Sequence, residues 1–195
     1  MENPVTSKFT FDPKTHSYTL NSHRLPSVTQ VIQSSGLVQG AFFSDYARDR
    51  GSYVHEAIQL LIEGTFDEIT LDPILKPYLD AYKKFVRDTN FSVKMCEQPV
   101  YSETYHFAGT PDLVGDFLGK RGDVIIDVKT SLQQSWHKIQ TSGYRILLDK
   151  PAKRYGLYLD DTGKYKLIEH GDRQDEGIFH ACLTLHGWKI NQGVK

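Results

Sequence analysis

Cysteine is scarce in this chain of 195 residues: only Cys96 and Cys182 occur, and neither belongs to a Cys-x-x-Cys pair. That rules out a disulfide framework and leaves two reduced, structural thiols as the expectation. Long apolar runs are also missing. No stretch approaches the roughly 20 apolar residues that a membrane-spanning helix needs. Met1-Glu2-Asn3-Pro4 lacks the basic-then-apolar pattern of a secretory signal, so the expected location is cytoplasmic, with no membrane partner. No Gly-x-x-x-x-Gly-Lys-Ser/Thr loop occurs, which excludes P-loop nucleotide hydrolysis. No Gly-x-Ser-x-Gly turn or paired Cys–His signature points to acyl transfer. His180, Cys182 and His186 invite a zinc reading, but His180 and Cys182 would point apart on one helix, and no second ligand pair stands at zinc-site spacing.

Charge of one sign is not in excess overall, since the formal net charge is −1. This argues against a protein that coats nucleic acid through bulk charge. The distribution is uneven. Residues 120–166 hold ten basic side chains against five acidic ones, whereas the first 75 residues are acidic. A basic half with carboxylates near its centre suits a groove for a polyanion; an ordinary solvated surface is the competing reading.

The chemistry concentrates in Gly109-Thr110-Pro111-Asp112 and Asp123-Val124-Ile125-Ile126-Asp127-Val128-Lys129. The second segment is a β-branched apolar run between charges and reads as a buried strand. Side chains two apart on a strand share a face, so Asp127 and Lys129 point the same way. The Gly- and Lys-rich stretch 115–122 can turn the chain back, which brings Asp112 beside them. Two carboxylates and one lysine at one spot make a hard-cation site with a proton-handling group, the set that magnesium chemistry on phosphodiesters uses. The same spacing also suits a strand-end salt bridge.

Pro111-Asp112 and Asp127-Val128-Lys129 together resemble the PD-(D/E)xK nuclease superfamily, within it the RecB-type and phage-exonuclease branch. Two flanking motifs extend the resemblance in the same order. Gly51-Ser52-Tyr53-Val54-His55 resembles the upstream Gly-x-x-x-His helix, and Gln140-Thr141-Ser142-Gly143-Tyr144 the downstream Gln-x-x-x-Tyr helix. The resemblance covers residues 46–150 and implies a metal-dependent deoxyribonuclease.

It implies that Asp112 and Asp127 ligate one or two Mg2+ or Mn2+ ions, with the Val128 carbonyl completing the inner shell. Lys129 would orient or deprotonate the attacking water, or stabilise charge on the phosphate. His55 would contact a metal or its water; read alone, a histidine at the edge of an apolar helical stripe is a structural residue. Glu97 would assist metal binding or else be an exposed strand charge, and Glu103 is a lesser candidate of the same kind. Gln140 would bind phosphate or hold the backbone of the site. Tyr144 would position DNA or else be a core aromatic. Lys138, Arg145, Lys153 and Arg154 are phosphate-contact candidates or solvated charges.

Some RecB-type relatives carry a four-cysteine iron–sulfur cluster; two cysteines cannot build one within a chain, so none is expected. The resemblance points to an exonuclease in phage-type recombination, repair or genome processing. Such a protein would act on DNA in a host cytoplasm beside a single-strand annealing or single-strand-binding protein, with oligomeric state left open. A structure- or sequence-specific endonuclease is the second enzymatic reading. A catalytically silent DNA-binding module of the same fold is the non-enzymatic one.

Periodicity completes the outline. Residues 9–20 read as a hairpin around Asp12-Pro13-Lys14, and Ser27 as the N-cap of a short helix. Helices are expected over 41–50, 52–63, from Pro73 to Thr89, over 134–148 and over 173–190. Strands are expected over 91–101 and 104–109, with a hairpin at 153–159 and 164–169. The fold class is α/β, a central mixed sheet flanked by helices in a restriction-endonuclease-like core. One domain is expected over 1–195, with the hairpin and helices of about 1–90 packing on a catalytic core of about 91–195.

Overall fold

The structure is a computed structural model of the 195-residue chain that describes residues 8–38, 45–119 and 122–194. Ten strands and five α-helices are seen among them. The chain opens with β1 (Phe9–Asp12), β2 (Ser17–Leu20) and β3 (His23–Leu25), followed by α1 (Val28–Ser34), α2 (Asp45–Glu63) and α3 (Lys76–Thr89). Then come β4 (Phe91–Cys96), β5 (Val100–Ser102), β6 (Phe107–Gly109), β7 (Leu113–Phe117) and β8 (Asp123–Lys129). The last elements are α4 (His137–Leu148), β9 (Ala152–Leu159), β10 (Tyr165–Glu169) and α5 (Gln174–Gln192).

The central sheet has five strands in the order β10-β9-β8-β7-β4. Only β8 and β9 run parallel, and α4 makes the crossover between them. The alternation along β8 sorts its side chains onto two faces. Val124, Ile126 and Val128 pack with Val54 and Ile58 of α2 and Tyr78, Tyr82 and Phe85 of α3. Ile125 packs on the other face with Val28 and Ile32 of α1, Ile139 and Tyr144 of α4 and Phe179 of α5. Asp127 and Lys129 share the α4 face with Ile125. The sheet is therefore covered on both sides, which explains why β8 is an almost unbroken apolar run.

Ser27 and Gln30 close a reciprocal capping box: Gln30 N donates to Ser27 Oγ at 3.1 Å, and Ser27 N to Gln30 Oε1 at 2.9 Å. The small sheet β1-β2-β3 packs Tyr18, Leu20 and Leu25 on Ala108 of β6, next to the Pro111-Asp112 segment.

Several boundaries differ from the sequence reading. Helices expected at 41–50 and 52–63 are one helix, α2, running through Gly51; residues 41–44 lie outside the described residues. A helical glycine costs about 1 kcal/mol, which the buried stripe Val54, Ala57 and Ile58 offsets. Pro73 lies in a turn, and α3 starts at Lys76 with Pro77 in its first turn. The strand expected at 91–101 is broken at Glu97, whose φ of 47° ends β4, so β5 pairs with β6 in a separate two-stranded sheet. The segment 104–109 is a strand only from Phe107, and the helix expected from 134 starts at His137.

Candidate active site

β7 begins only at Leu113, just after Asp112, while β8 continues past Ile126, the residue paired with Leu113. The backbone of Val128 thus extends beyond its antiparallel partner with an N–H and a C=O to satisfy. Asp112 Oδ2 accepts from Val128 N at 2.6 Å. His55 Nε2, from α2, donates to the Val128 carbonyl at 3.0 Å. Two side chains replace what the missing strand would have supplied.

Glu97 completes the cluster. Its N–H donates to the Asp112 carbonyl at 3.0 Å, and its left-handed backbone turns the carboxylate back to His55. A φ of this sign in a non-glycine residue carries strain and is found at functional sites. His55 Nδ1 donates to Glu97 Oε1 at 2.9 Å and lies 3.7 Å from Asp112 Oδ1. His55, Glu97 and Asp112 each offer a ligand atom, all within 4.8 Å of one another. With the Val128 carbonyl they form a nitrogen-and-oxygen donor set of the kind that Mg2+ and Mn2+ sites draw on.

Both His55 contacts are acceptors, so the ring carries two protons. Burial alone would lower its pKa, but the Asp112 and Glu97 carboxylates outweigh it and hold the imidazole at about 9. Burial pushes Asp112 above the usual aspartate value despite His55 beside it.

Asp127 is fully buried on the α4 face. Oδ1 accepts from Lys129 Nζ at 2.8 Å, and Oδ2 has no hydrogen-bond donor among the described residues. Burial raises its pKa to about 6, against the opposing pull of Lys129. Burial would depress Lys129, yet Asp127 and Asp112 together hold its ammonium above the ordinary lysine value. Asp127 Oδ2 is a buried carboxylate oxygen without a donor among the described residues, and with the His55–Glu97–Asp112 set it suits a divalent metal.

Gln140 and Tyr144 share a face of α4, as their spacing requires, and Gln140 Nε2 donates to Tyr144 Oη at 2.8 Å. Both are buried, and Gln140 Oε1 lacks a partner among the described residues. Burial, then Asp112 and Asp127, push the Tyr144 phenol well above its usual value. Tyr144 also belongs to the core beside Val28 and Phe179.

The phosphate-contact candidates are engaged elsewhere. Arg154 is buried on β9 and is not a surface cation. Its guanidinium donates to the Lys138 carbonyl at 2.8 Å, the Asp172 carbonyl at 2.9 Å, Asp175 Oδ2 at 3.0 Å and the Ser142 hydroxyl. Lys138 pairs with Asp175, Arg145 with Glu176 and Lys153 with Glu169. Glu103 sits on the exposed β5–β6 turn. Lys120 and Arg121 lie outside the described residues.

The sequence reading missed three neighbours of the site. The Tyr18 hydroxyl lies 2.8 Å from Thr110 Oγ1, which ties the N-terminal sheet to the Pro111-Asp112 segment. Trp136 places its ring centroid 6.0 Å from Lys129 Nζ. Tyr158, opposite Lys129 on β9, lies 3.0 Å from His137 Nδ1. Tyr18 lies in the hairpin expected over 9–20, but nothing local signals its tie to Thr110 or the other two contacts. The cluster opens into a cleft of about 990 Å³, walled by the β1–β2 turn, α2 and Trp136, with Val128, Lys129 and Thr130 at its base.

No family model matches the sequence, and no curated protein matches it. Among solved structures, the chain is similar to an alkaline exonuclease (LHK-Exo) from Laribacter hongkongensis, at 14% identity and a TM-score of 0.38, over 84% of this chain and 92% of that one. It is also similar to LHK-Exo in complex with dAMP, at 15% identity and a TM-score of 0.36, over 87% of this chain and 93% of that one.

Proposed function

We propose that this chain is a Mg2+- or Mn2+-dependent deoxyribonuclease, acting as an exonuclease on DNA ends. One observation carries the reading: His55, Glu97 and Asp112 converge within 4.8 Å at the end of β8 that β7 leaves uncovered, the strand that also presents Asp127 and Lys129. His55, Glu97, Asp112 and the Val128 carbonyl would hold the ion, and Asp127 would offer its unpaired Oδ2 as a further oxygen donor. A divalent ion there lowers the pKa of bound water and neutralises charge on the phosphate oxygens.

The protein's own groups divide the remaining work. Lys129, held charged by two carboxylates, donates to a phosphate oxygen and stabilises charge as the P–O bond to the leaving oxygen breaks. Asp127 fixes the ammonium in place. The reaction adds water across one phosphodiester bond and yields a phosphate monoester and a hydroxyl.

The test is cleavage of matched linear and covalently closed circular DNA, with Mg2+, with Mn2+ and with EDTA, by the wild type and Lys129→Ala. Metal-dependent loss of linear DNA alone, slowed about a hundredfold or more in the variant, is the expected result. Cutting of the circle would replace the exonuclease with an endonuclease. Retained DNA binding with no cleavage under any condition would leave a silent binding module.

A further inference from the structure

Phe11 and His16 line the cleft on the side of the β1–β2 turn, although the carboxylate–lysine chemistry has no use for rings there. They meet edge to face, with centroids 5.2 Å apart at 90°. Phe11 also stacks on Tyr18 at 4.9 Å and 27°. Tyr18 is buried, and its hydroxyl reaches both Thr110 Oγ1 at 2.8 Å and His16 Nε2 at 3.1 Å. The two outer rings thus hang on a buried post fixed beside the Pro111-Asp112 segment. Asp12 holds the turn between them: its carboxylate accepts from Lys14 N at 2.9 Å and from Thr15 Oγ1 at 2.8 Å. The rings are therefore held in place before any ligand arrives. His16 is exposed, Phe11 is half-buried, and half-buried Trp136 lines the same cleft.

We propose that Phe11 and His16 form a stacking subsite for unpaired nucleobases, so that the cleft takes a single DNA strand. The identity of the ligand rests on the nuclease reading above. An aromatic wall recognises the π face of a base without regard to sequence, and a duplex keeps those faces covered by neighbouring base pairs. Arg48 on the α2 wall, paired with Asp45 at 2.9 Å, also lines the cleft and could turn to a strand phosphate.

The test is fluorescence-anisotropy binding with calcium present, using a short oligothymidylate, an abasic phosphodiester of equal length and a blunt duplex. The wild type is expected to hold the oligothymidylate about tenfold more tightly than the abasic strand, and more tightly than the duplex. Phe11→Ala and His16→Ala should each erode the preference for bases, and Phe11→Trp should keep it. If Phe11→Ala fails to fold, His16→Ala carries the test, because that side chain is exposed. Equal binding of abasic and intact strands by the wild type, or an equal loss for both in the variants, would overturn the subsite; so would a preference for duplex. Hydrolysis is read separately with Mg2+. DNA cleavage without base preference defeats the subsite alone, whereas base-dependent binding without cleavage defeats the nuclease reading alone.

Discussion

Asp112 Oδ2 accepts a hydrogen bond from the Val128 amide at 2.6 Å, just before β7 begins and where β8 runs on without it. One carboxylate oxygen serves the fold and the other faces His55. The strand end that needs a partner and the donor set that could hold a cation are therefore the same few atoms.

That division can be tested directly. Asp112→Asn keeps an oxygen for the Val128 amide but removes the charge. The variant should melt close to the wild type and bind Mn2+ at least about tenfold more weakly by calorimetry. Loss of folding with unchanged metal affinity would contradict the assignment. His55→Ala and Glu97→Gln should each weaken Mn2+ on the order of tenfold.

Metal binding should depend on pH in a defined direction. His55 is doubly protonated up to about pH 9, and a metal needs one ring nitrogen free. Binding then releases a proton, and affinity should rise with pH, by roughly tenfold per unit at most, before levelling near pH 9. The same group makes the opposite contribution to the metal-free fold. Its pKa is raised on folding, so its stabilisation is full below about pH 6.5 and is lost as pH rises through about 9. Mn2+ titrations and melts across that window check both signs.

Acid should act through other histidines. Burial lowers His137 to about 3 and His170 to about 4. Both are neutral in the fold and protonated in the unfolded chain below about pH 6.5, so their contribution is present above that value and lost as pH falls towards 4. Replacing either with Gln should flatten the acid limb of a stability–pH curve.

Asp175 is buried against Arg154 and Lys138. Asp175→Ala leaves a buried guanidinium uncompensated and should cost about 3–5 kcal/mol, seen as a Tm lower by roughly 10 °C. The double variant Asp175→Leu with Arg154→Met should recover most of that loss. If it does not, the network contributes more than charge neutralisation.

Gly143 sits where α4 meets α1 and α5. A Cβ there would lie 2.7 Å from Phe179 Cε2 and 2.8 Å from Val28 Cγ1. Gly143→Ala should destabilise by about 1–3 kcal/mol through overpacking. Among the described residues nothing lies within 4 Å of the Cβ position of Gly177 on α5, and Gly177→Ala should stabilise by about 0.4–1 kcal/mol. Denaturant unfolding of the pair separates steric from propensity effects.

What could be read locally was read correctly where one segment contains its own cause. The run Val124-Ile125-Ile126 made β8 a covered strand, Ser27 capped a helix start, and the segments 153–159 and 164–169 formed the hairpin β9–β10. Errors fell where a distant contact overrode local preference. Gly51 suggested a break that packing on the sheet removes, and Glu97 adopts a backbone no propensity would give it. Arg154 looked like a surface cation because its partners, Asp172, Asp175 and the first turn of α4, are remote in sequence.

The sequence by itself determined which chemical groups are present and which share a face: Asp127 with Lys129 on a strand, Gln140 with Tyr144 on a helix. Both follow from backbone periods of two and 3.6 residues. Only the tertiary structure decided that His55 reaches the carbonyl of Val128, 73 residues away, and that Glu97 rather than Glu103 turns towards it. Those contacts depend on how α2 lies on the sheet and on where β7 begins, and both are set by packing between segments that no local pattern encodes.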